Sequence, residues 1–547
     1  MAIPVLDAEQ AASWDERARV TAKIPSRVLM ESAGRGIAHV IGGEFQRCPT
    51  AGRAGSAAAN RLRRGNGLGS GAIVACGPGN NGGDGWVVAR ALKATGIPVW
   101  AVDAGGKRSA DCAANRALAL ASGVELLDPD ETWPEAAVAV DALLGTGASG
   151  APRGTIAGLA ERLKRLGAPV AAVDGPTGLD LSTGAAFEPV PAALTVTFGG
   201  LRRGHLLARE WCGKLVVLDI GFPFPDRAWP RFVDDRLAAS WLPGFGVRMH
   251  KGERGRVLVI GGDHGMAGAA LHAARSALEA GAGLVKLAAH QASVAAAQSS
   301  LPDVLTLVTA LGPTLERELE EAIGWADALV LGPGLGRAKE RAQLVRAVLE
   351  ATHRPVILDA DALQVGLDEL RRGSSPRVLT PHAGEFRAAF PKLGKLLEAD
   401  RFAAARQAAE LVAGSSSAPS GRSAASAPPA APAAVLLKGV PTIIAPSRGT
   451  PYVVGSGNPA LATGGSGDLL AGFIGAFLAR GLAPAEAAAA GAQVLGRAAD
   501  LAATRLTVRA TRPADVLAAL PELWRRWADV TPPTPPILLE LDPPLLV

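Results

Sequence analysis

Short runs of aliphatic and β-branched residues, most of them closed by a glycine or an acid, recur along the chain and alternate with longer alanine-rich or amphipathic stretches. Runs that are apolar on both faces read as strands buried in a parallel sheet, and the stretches between them as crossover helices. In the first half the runs are 72–76, 98–102, 137–140, 169–173, 194–198 and 215–218. The pattern stops across 222–247, a stretch rich in Pro and Trp that reads as a junction. A second series covers 256–262, 328–331, 355–358, 377–380 and 434–437. Two α/β domains are expected, 1–235 and 236–530, neither an evident repeat of the other.

Residues 47–71 and 414–433 are rich in Ala, Gly, Ser and Pro without periodicity and read as flexible insertions. The proline-dense tail after Thr531 reads as extended or frayed. Length alone, 547 residues, would allow about three or four domains. An apolar content of 48% against 20% charged residues indicates well-buried globular domains. The net charge of +5 is spread too thinly to argue for a nucleic-acid partner. The four cysteines form no C-x-x-C pair and read as free thiols in a reducing compartment. No signal peptide is evident, and the strongly apolar stretch 469–479 is too short to span a bilayer, so a cytoplasmic protein without a membrane partner is expected.

Chemistry concentrates where runs end in glycine loops. After Cys76 comes Gly77-Pro78-Gly79-Asn80-Asn81-Gly82-Gly83-Asp84-Gly85, followed by a helix expected from about Trp86 to Thr95. The spacing satisfies G-x-G-x-x-G, and Asp103 ends the next run, which alone would suggest a nicotinamide-dependent dehydrogenase. Two adjacent amides and an acid are more polar than a backbone pyrophosphate cradle needs. They suit a hard cation or an amide-bearing ligand, or else a Gly/Asn turn. Asp141 opens a loop running through Gly145 and Gly147, and Asp174 opens DGPTGLD, which contains Thr177. Parallel strands bring such loops to one sheet edge, so they can share a crevice, although each acid could serve only as a cap.

The second half carries GGDHGMAG at 261–268, GPGLG at 332–336, Asp359-Ala360-Asp361, TPHAGE at 380–385 and Lys438-Gly439. Asp361 and Glu385 are candidates for a Mg²⁺ shell through waters, and Lys438 can offset phosphate charge. His382 is a candidate substrate contact or a cap. The run GSGNPALATGGSGD at 455–468 opens into the apolar stretch from Leu469. A glycine-rich helix mouth aims N–H groups and dipole at one spot and favours phosphate. A carboxylate there, Asp468, suits proton abstraction from a hydroxyl that takes up a phosphoryl group; the bland alternative is an N-cap.

These motifs, in this order over nearly the whole chain, resemble the bifunctional bacterial NAD(P)HX repair enzymes: a YjeF-type NAD(P)HX epimerase domain fused to a ribokinase-like, ADP-dependent NAD(P)HX dehydratase domain. The motifs are GPGNNGGDG, DALLGTG and DGPTGLD, then KGERGRVLVIGG, GMAGAA, GPGLG, DADAL, TPHAGEF, LLKG and GNPALATGGSGD. The resemblance implies a Rossmann-like α/β/α sandwich followed by a ribokinase-like α/β domain. It implies as substrates NADHX and NADPHX, the cofactors hydrated at nicotinamide C6. The epimerase would interconvert R and S hydrates, and the dehydratase would remove water from the S form while ADP goes to AMP and phosphate, with Mg²⁺. Carried over, Asn80, Asn81, Gly82, Gly83, Asp84, Gly145, Thr146, Gly147, Ala148, Ser149, Gly150 and Ala151 contact the epimerase substrate, and Asp174 is its acid/base group. Asn81, Asp141 and Thr177 hold K⁺. Ala269, Gly336, His382 and Asp468 line the dehydratase site, with Asp468 catalytic, while Lys438, Gly439, Val440, Pro441, Thr442 and Gly467 bind the adenine nucleotide. A homo-oligomer is the expected assembly. The chain departs from the family pattern at Gly175, Thr177, Ala383 and Ser466. Two competing readings are a ribokinase-type small-molecule kinase in the second half and a non-catalytic binding scaffold in the first.

Overall fold

The computed structural model describes residues 3–46, 70–336, 340–414 and 431–546, so the insertions expected at 47–71 and 414–433 lie, apart from their flanks, outside the described residues. The described chain forms two compact units: residues 1–229 together with 532–547, and residues 230–531.

In the first unit the chain lays down β1 (Val5–Leu6), α1 (Ala8–Val20), α2 (Ser26–Gln46), β2 (Ala72–Cys76), α3 (Asn80–Ala94), β3 (Val99–Asp103), β4 (Glu125–Leu127) and β5 (Val138–Ala142). It continues with β6 (Val170–Val173), β7 (Leu194–Phe198), β8 (Leu201–Arg202) and β9 (Lys214–Leu218). The second unit holds β10 (Arg231–Phe232), β11 (Arg256–Ile260), α4 (Ala267–Glu279), β12 (Leu284–Ala289), β13 (Leu305–Val308), β14 (Ala328–Leu331), β15 (Val356–Leu358) and β16 (Arg377–Leu379). It ends with α5 (Ala383–Ala389), β17 (Ala433–Leu437), β18 (Thr442–Pro446), β19 (Tyr452–Val454), α6 (Ser466–Ala479) and α7 (Pro484–Leu506). The final strand, β20 (Ile537–Leu541), belongs to the first unit again.

The first unit's main sheet runs β20-β9-β7-β6-β5-β2-β3-β4, parallel except for β20, which pairs antiparallel with β9. Every residue of β2, β5, β6 and β7 is buried, as continuous apolar runs require in a sheet covered on both faces. The second unit's sheet runs β10-β19-β18-β17-β16-β15-β14-β11-β12-β13, with antiparallel pairing only at β17–β18 and β18–β19. Its core includes α6, whose residues from Leu469 to Leu478 are all buried. The units meet in sequence at Trp229/Pro230 and Thr531/Pro532 rather than at 235 and 530, because Arg231–Phe232 pairs with β19. Of the two expectations for the tail, extended or frayed, the structure shows the extended one: it supplies an edge strand, with Leu539 buried and the Asp219 N–H donating to the Pro536 carbonyl at 2.8 Å.

Both sheets reverse direction once. In the first, β3 leaves one side of β2 and β5 the other; in the second, β12 and β14 flank β11 in the same way. Open α/β sheets place their crevice at the carboxyl ends of strands beside such a switch. The backbones cross closely there, and the glycines mark it. A Cβ on Gly77 would lie 2.0 Å from the Leu143 carbonyl oxygen, and one on Gly261 would lie 2.1 Å from that of Pro333.

Candidate active sites

At the β2/β5 switch of the first unit lies a cavity of about 760 Å³. Its lining includes Asn80, Asn81, Asp84, Gly145, Thr146, Gly147, Ala148 and Asp174, and also Asp15 and Arg19 of α1, Asp111 and Arg202. The helix starts at Asn80, not at Trp86 as the sequence suggested, so both amides and Asp84 ride its first turns. Gly82 and Gly83 do not line the cavity. They are buried because a Cβ on Gly82 would fall 1.8 Å from the Gly77 carbonyl oxygen, and one on Gly83 would strike Met30. Ser149, Gly150 and Ala151 also lie outside the lining.

Asp174 ends β6 with φ +64° and is held from several sides. Its Oδ2 accepts from the Thr146 amide at 2.9 Å and the Thr146 hydroxyl at 2.5 Å, and its Oδ1 accepts from the Thr197 hydroxyl at 2.9 Å. The buried Arg202 guanidinium lies 3.4 Å from Oδ1 and is itself fixed by donating to Thr146 Oγ1 and the Gly200 carbonyl. Burial pushes this carboxyl up, but the Arg202 charge and the Thr146 hydrogen bonds outweigh it and hold Asp174 below the usual carboxylate range. His205 accepts the Arg202 N–H on Nδ1 at 3.0 Å, so its proton sits on Nε2, which donates to the Asp174 carbonyl at 2.7 Å. Burial pushes this imidazole down to about 4, so it is a neutral brace for the Asp174 backbone.

Asp141 is fully buried beneath the cavity floor. Its Oδ2 accepts the Thr177 amide at 2.8 Å, and its Oδ1 accepts the Thr177 hydroxyl at 2.7 Å and the Leu143 amide at 3.3 Å. The Thr177 hydroxyl accepts in turn from the Leu144 amide at 3.1 Å, which ties the β5 and β6 loops together. Burial pushes Asp141 up to about 6 against these bonds. Asn81 Nδ2 is buried without a hydrogen-bond partner among the described residues. A Cβ on Gly145 would lie 2.9 Å from Asn81 Oδ1 and 3.1 Å from Asp174 Oδ2, so those side chains converge at Gly145. Asp103, the acid that ends β3, is bound by Arg108 and Arg116 and does not line the cavity.

Sequence reasoning missed Arg202, Thr146 as a ligand of Asp174, Thr197 and His205. The available signal was a strand ending in Gly199-Gly200 and followed by Leu201-Arg202-Arg203-Gly204-His205. A basic cluster at a strand end stands out beside candidate acids at neighbouring ends.

In the second unit, α6 starts behind Gly465, which has φ +96° and makes no side-chain cap bond. Asp468 is therefore not the N-cap; it sits in the first turn, beside uncapped N–H groups. Burial pushes its carboxyl up to about 7, and Asp359, Asp361 and Glu385 add to the rise while Lys438 opposes it. Lys438 Nζ lies 3.0 Å from Asp359 Oδ1 and 3.6 Å from Glu385 Oε2, and a Cβ on Gly467 would lie 3.3 Å from it. Burial would lower this ammonium, but Asp359 and Glu385 raise it, so it stays charged. Thr380 Oγ1 donates to Asp359 at 2.7 Å, and Asp361 accepts the Gly336 N–H at 3.0 Å. Lys438, Asp359, Glu385 and Gly467 thus form one cluster under Asp468, with Gly336 linked to it through Asp361.

Ala269 lies in the first turn of α4 against Gly334, and a Cβ on Gly336 would lie 2.7 Å from Asp263 Oδ2. His382 caps α5: its Nδ1 accepts from Gly384 and Glu385, and Glu385 returns a bond to the His382 N–H at 2.9 Å. Gly439, Val440 and Pro441 form the turn between β17 and β18 and Thr442 opens β18; Arg401 donates to the Lys438 carbonyl at 3.2 Å and the Thr442 hydroxyl to that of Gly439 at 3.1 Å. The segment before α6 is pinned from α7: Asp500 accepts from Gly457 and from Asn458 Nδ2, at 3.2 and 2.9 Å. Asp359 was marked by the sequence only as part of its loop, with no role of its own, and Asp500 was not marked.

Comparison with known proteins agrees with this two-site arrangement. A family model described as NAD(P)H-hydrate dehydratase matches residues 257–522, and one described as YjeF-related protein N-terminus matches 26–204. The chain is 33% identical over 554 residues to the bifunctional NAD(P)H-hydrate repair enzyme Nnr of Moorella thermoacetica, covering 95% of this chain and 96% of that one. It is 36% identical over 563 residues to the enzyme of the same name from Salinibacter ruber, again covering 95% and 96%. It is 35% identical over 459 residues to that of Escherichia coli, covering 82% and 84%. A crystal structure of the ADP/ATP-dependent NAD(P)H-hydrate dehydratase of Bacillus subtilis, co-crystallised with ATP and Mg²⁺, is similar to 55% of this chain and 98% of its own, with 27% identity and a TM-score of 0.46. The chain belongs to the family of bifunctional NAD(P)H-hydrate repair enzymes.

Proposed function

We propose that the first unit interconverts the R and S hydrates of NADH and NADPH, and that the second dehydrates the S hydrate to NAD(P)H while ADP becomes AMP and phosphate. The observation that carries this reading is Asp468, an acid poised near neutrality in the open first turn of α6 with Lys438 beneath it. A base with that pKa can take the C6 hydroxyl proton as the oxygen attacks the terminal phosphoryl group. The ring nitrogen's electron pair then expels phosphate from C6, and loss of a C5 proton leaves the double bond of NAD(P)H. The uncapped N–H groups of Gly467 and Asp468 suit phosphate oxygens, and the glycine at 467 leaves Lys438 close beneath them.

Among the described residues no three His, Cys, Asp or Glu side chains converge to hold a metal directly. Mg²⁺ would therefore be held through waters and phosphates, with Asp361 and Glu385 as outer partners. In the first unit, Asn81, Asp141 and Thr177 supply oxygens with a single formal negative charge, and Asn81 Oδ1 converges with Asp174 at Gly145. Such a set fits K⁺, which would neutralise the buried Asp141. The free buried thiols Cys76, Cys112 and Cys212 suit a reducing compartment, and we retain a cytoplasmic homo-oligomer as part of this reading.

The test is incubation of the full chain with acid-generated NADHX epimers, with and without ADP, following the NADH absorbance band and separating the epimers. NADH formation only with ADP, and R–S interconversion without it, is expected. A stable phosphorylated product with no NADH would favour the kinase reading.

A further inference from the structure

The epimerase cavity presents four carboxylates, and three of them have partners. Asp174 is bound by Thr146, Thr197 and Arg202. Asp15 pairs with Arg19 at 2.9 Å, and Asp111 accepts from the Ser26 hydroxyl at 2.5 Å and from Arg27 at 3.1 Å. Asp84 alone has no hydrogen bond or ion pair among the described residues, although it lines the same cavity. Its place is fixed by backbone packing: a Cβ on Gly83 would lie 2.7 Å from Met30, and one on Gly85 would lie 2.5 Å from the Ala142 side chain. An acid held rigidly at a cavity wall with its oxygens left open is arranged for a ligand.

We propose that Asp84 is a second catalytic residue of the epimerase, the proton donor that works with Asp174 as base across the C6 carbon of the hydrate. This rests on the epimerase reading above. C6 carries a hydroxyl and is bonded to the ring nitrogen, so the nitrogen's electron pair can expel the hydroxyl once it is protonated. Asp84 gives its proton to the hydroxyl oxygen, the C6–O bond breaks, water leaves, and the pair from nitrogen forms the C6=N1 bond. Water then adds to the other face of C6, and its surplus proton goes to Asp174. The opposite epimer results without net oxidation, and the reverse reaction exchanges the two roles. The step needs one neutral and one ionised acid, and the surroundings separate them in that sense. Burial pushes Asp84 well above the usual carboxylate range, with the charges of Asp174 and Asp15 adding to it, while Arg202 helps hold Asp174 down. The cavity's two arginines, Arg19 and Arg202, are engaged by Asp15 and by Thr146, Gly200 and Asp174.

The test uses the full chain and separated R- and S-NADHX, without nucleotide. Wild-type interconversion well above the spontaneous rate is expected; its absence overturns the epimerase reading itself and this proposal with it. With active wild type, Asp84→Asn should lower kcat by about 10²–10⁴ with KM changed little, and Asp84→Glu should restore part of the loss. Wild-type kcat/KM should fall at alkaline pH as Asp84 ionises, and Asp84→Asn should lose that limb. Near wild-type kcat in Asp84→Asn, or a loss carried by KM alone, overturns the proposal. Should both variants fail to fold, the wild-type profile decides: an alkaline limb is expected, and a profile flat up to the onset of unfolding overturns it.

Discussion

Replacing Asp468 by Asn separates two quantities that one burial couples, turnover and stability. The carboxyl titrates near 7 in the folded chain against an ordinary value of 3.8. The folded state therefore holds this proton more tightly than the unfolded one. The stability linked to it is fully present below about pH 4 and is lost as pH rises towards 7. Above pH 7 the ionised group costs at most on the order of 4 kcal/mol, less where water enters the open mouth. Asn carries no charge, and Lys438 keeps Asp359 and Glu385 as partners. Asp468→Asn should then melt higher than wild type at pH 8, by roughly 2–4 °C per kcal/mol recovered, and match it near pH 4.

Turnover should move the other way. Loss of a positioned base costs about 10²–10⁴ in kcat, or roughly 3–5 kcal/mol of transition-state stabilisation. Wild-type dehydration should fall about tenfold per pH unit below 7, because only the ionised form accepts the proton. NADH formation from S-NADHX and ADP reads the turnover, and thermal melts at the two pH values read the stability. A variant that is both slower and less stable at pH 8 would show Asp468 to be a structural residue. One that turns over near the wild-type rate would refute its role as base.

Further outcomes follow from the same geometry. Crystals soaked in rubidium should show anomalous signal among Asn81, Asp141 and Thr177, and Asp141→Ala should abolish it; no signal in an ordered wild-type crevice refutes the cation site. A chain ending at Thr531 loses the β9–β20 ladder and the burial of Leu539, on the order of 4 kcal/mol. Its epimerase unit should melt lower while dehydration persists, and an unchanged melt would mean that β20 contributes nothing. At pH 6 epimerisation should keep near its maximal rate while dehydration has fallen about tenfold; equal losses in both activities would refute the assignment of Asp174 and Asp468 as the separate bases.

What the sequence made legible was whatever needs continuous burial. All eleven runs that it marked contain or overlap strands, because interior parallel strands are apolar on both faces. Strands with other demands escaped. β12 carries Lys286 in its middle, β13 is an edge strand with exposed Leu305 and Val308, and β20 hides among prolines and is stabilised only by β9. The candidate sites followed the same logic. Asn81, Asp84, Gly145, Asp174 and Asp468 stand at strand ends or helix mouths and could be marked from the chain alone. Arg202 and His205 could not be assigned, because only the fold brings them to Asp174. Gly82 and Gly83, read as ligand contacts, are also required as glycines by packing, since neighbouring backbone and Met30 leave no room for a side chain.

The two proposed bases also show why charge partners matter more than motif. Asp174 and Asp468 are both buried acids at the carboxyl edge of a parallel sheet, and burial alone would raise both. Asp174 faces a guanidinium that cannot lose its proton, braced by Gly200 and Thr146, so it stays ionised into acid. Asp468 has only a share of Lys438, whose ammonium is already taken up by Asp359 and Glu385, and these two together with Asp361 repel its charge. Each setting matches its proposed task. A base that must remain charged beside a neutral acid needs a dedicated arginine. A base that takes a hydroxyl proton beside incoming phosphate works best near neutrality, where removing the proton is easy and the added negative charge is tolerable. On this view the glycine loops and helix mouths place the acids, and how Arg202 and Lys438 are shared among them decides what each acid does.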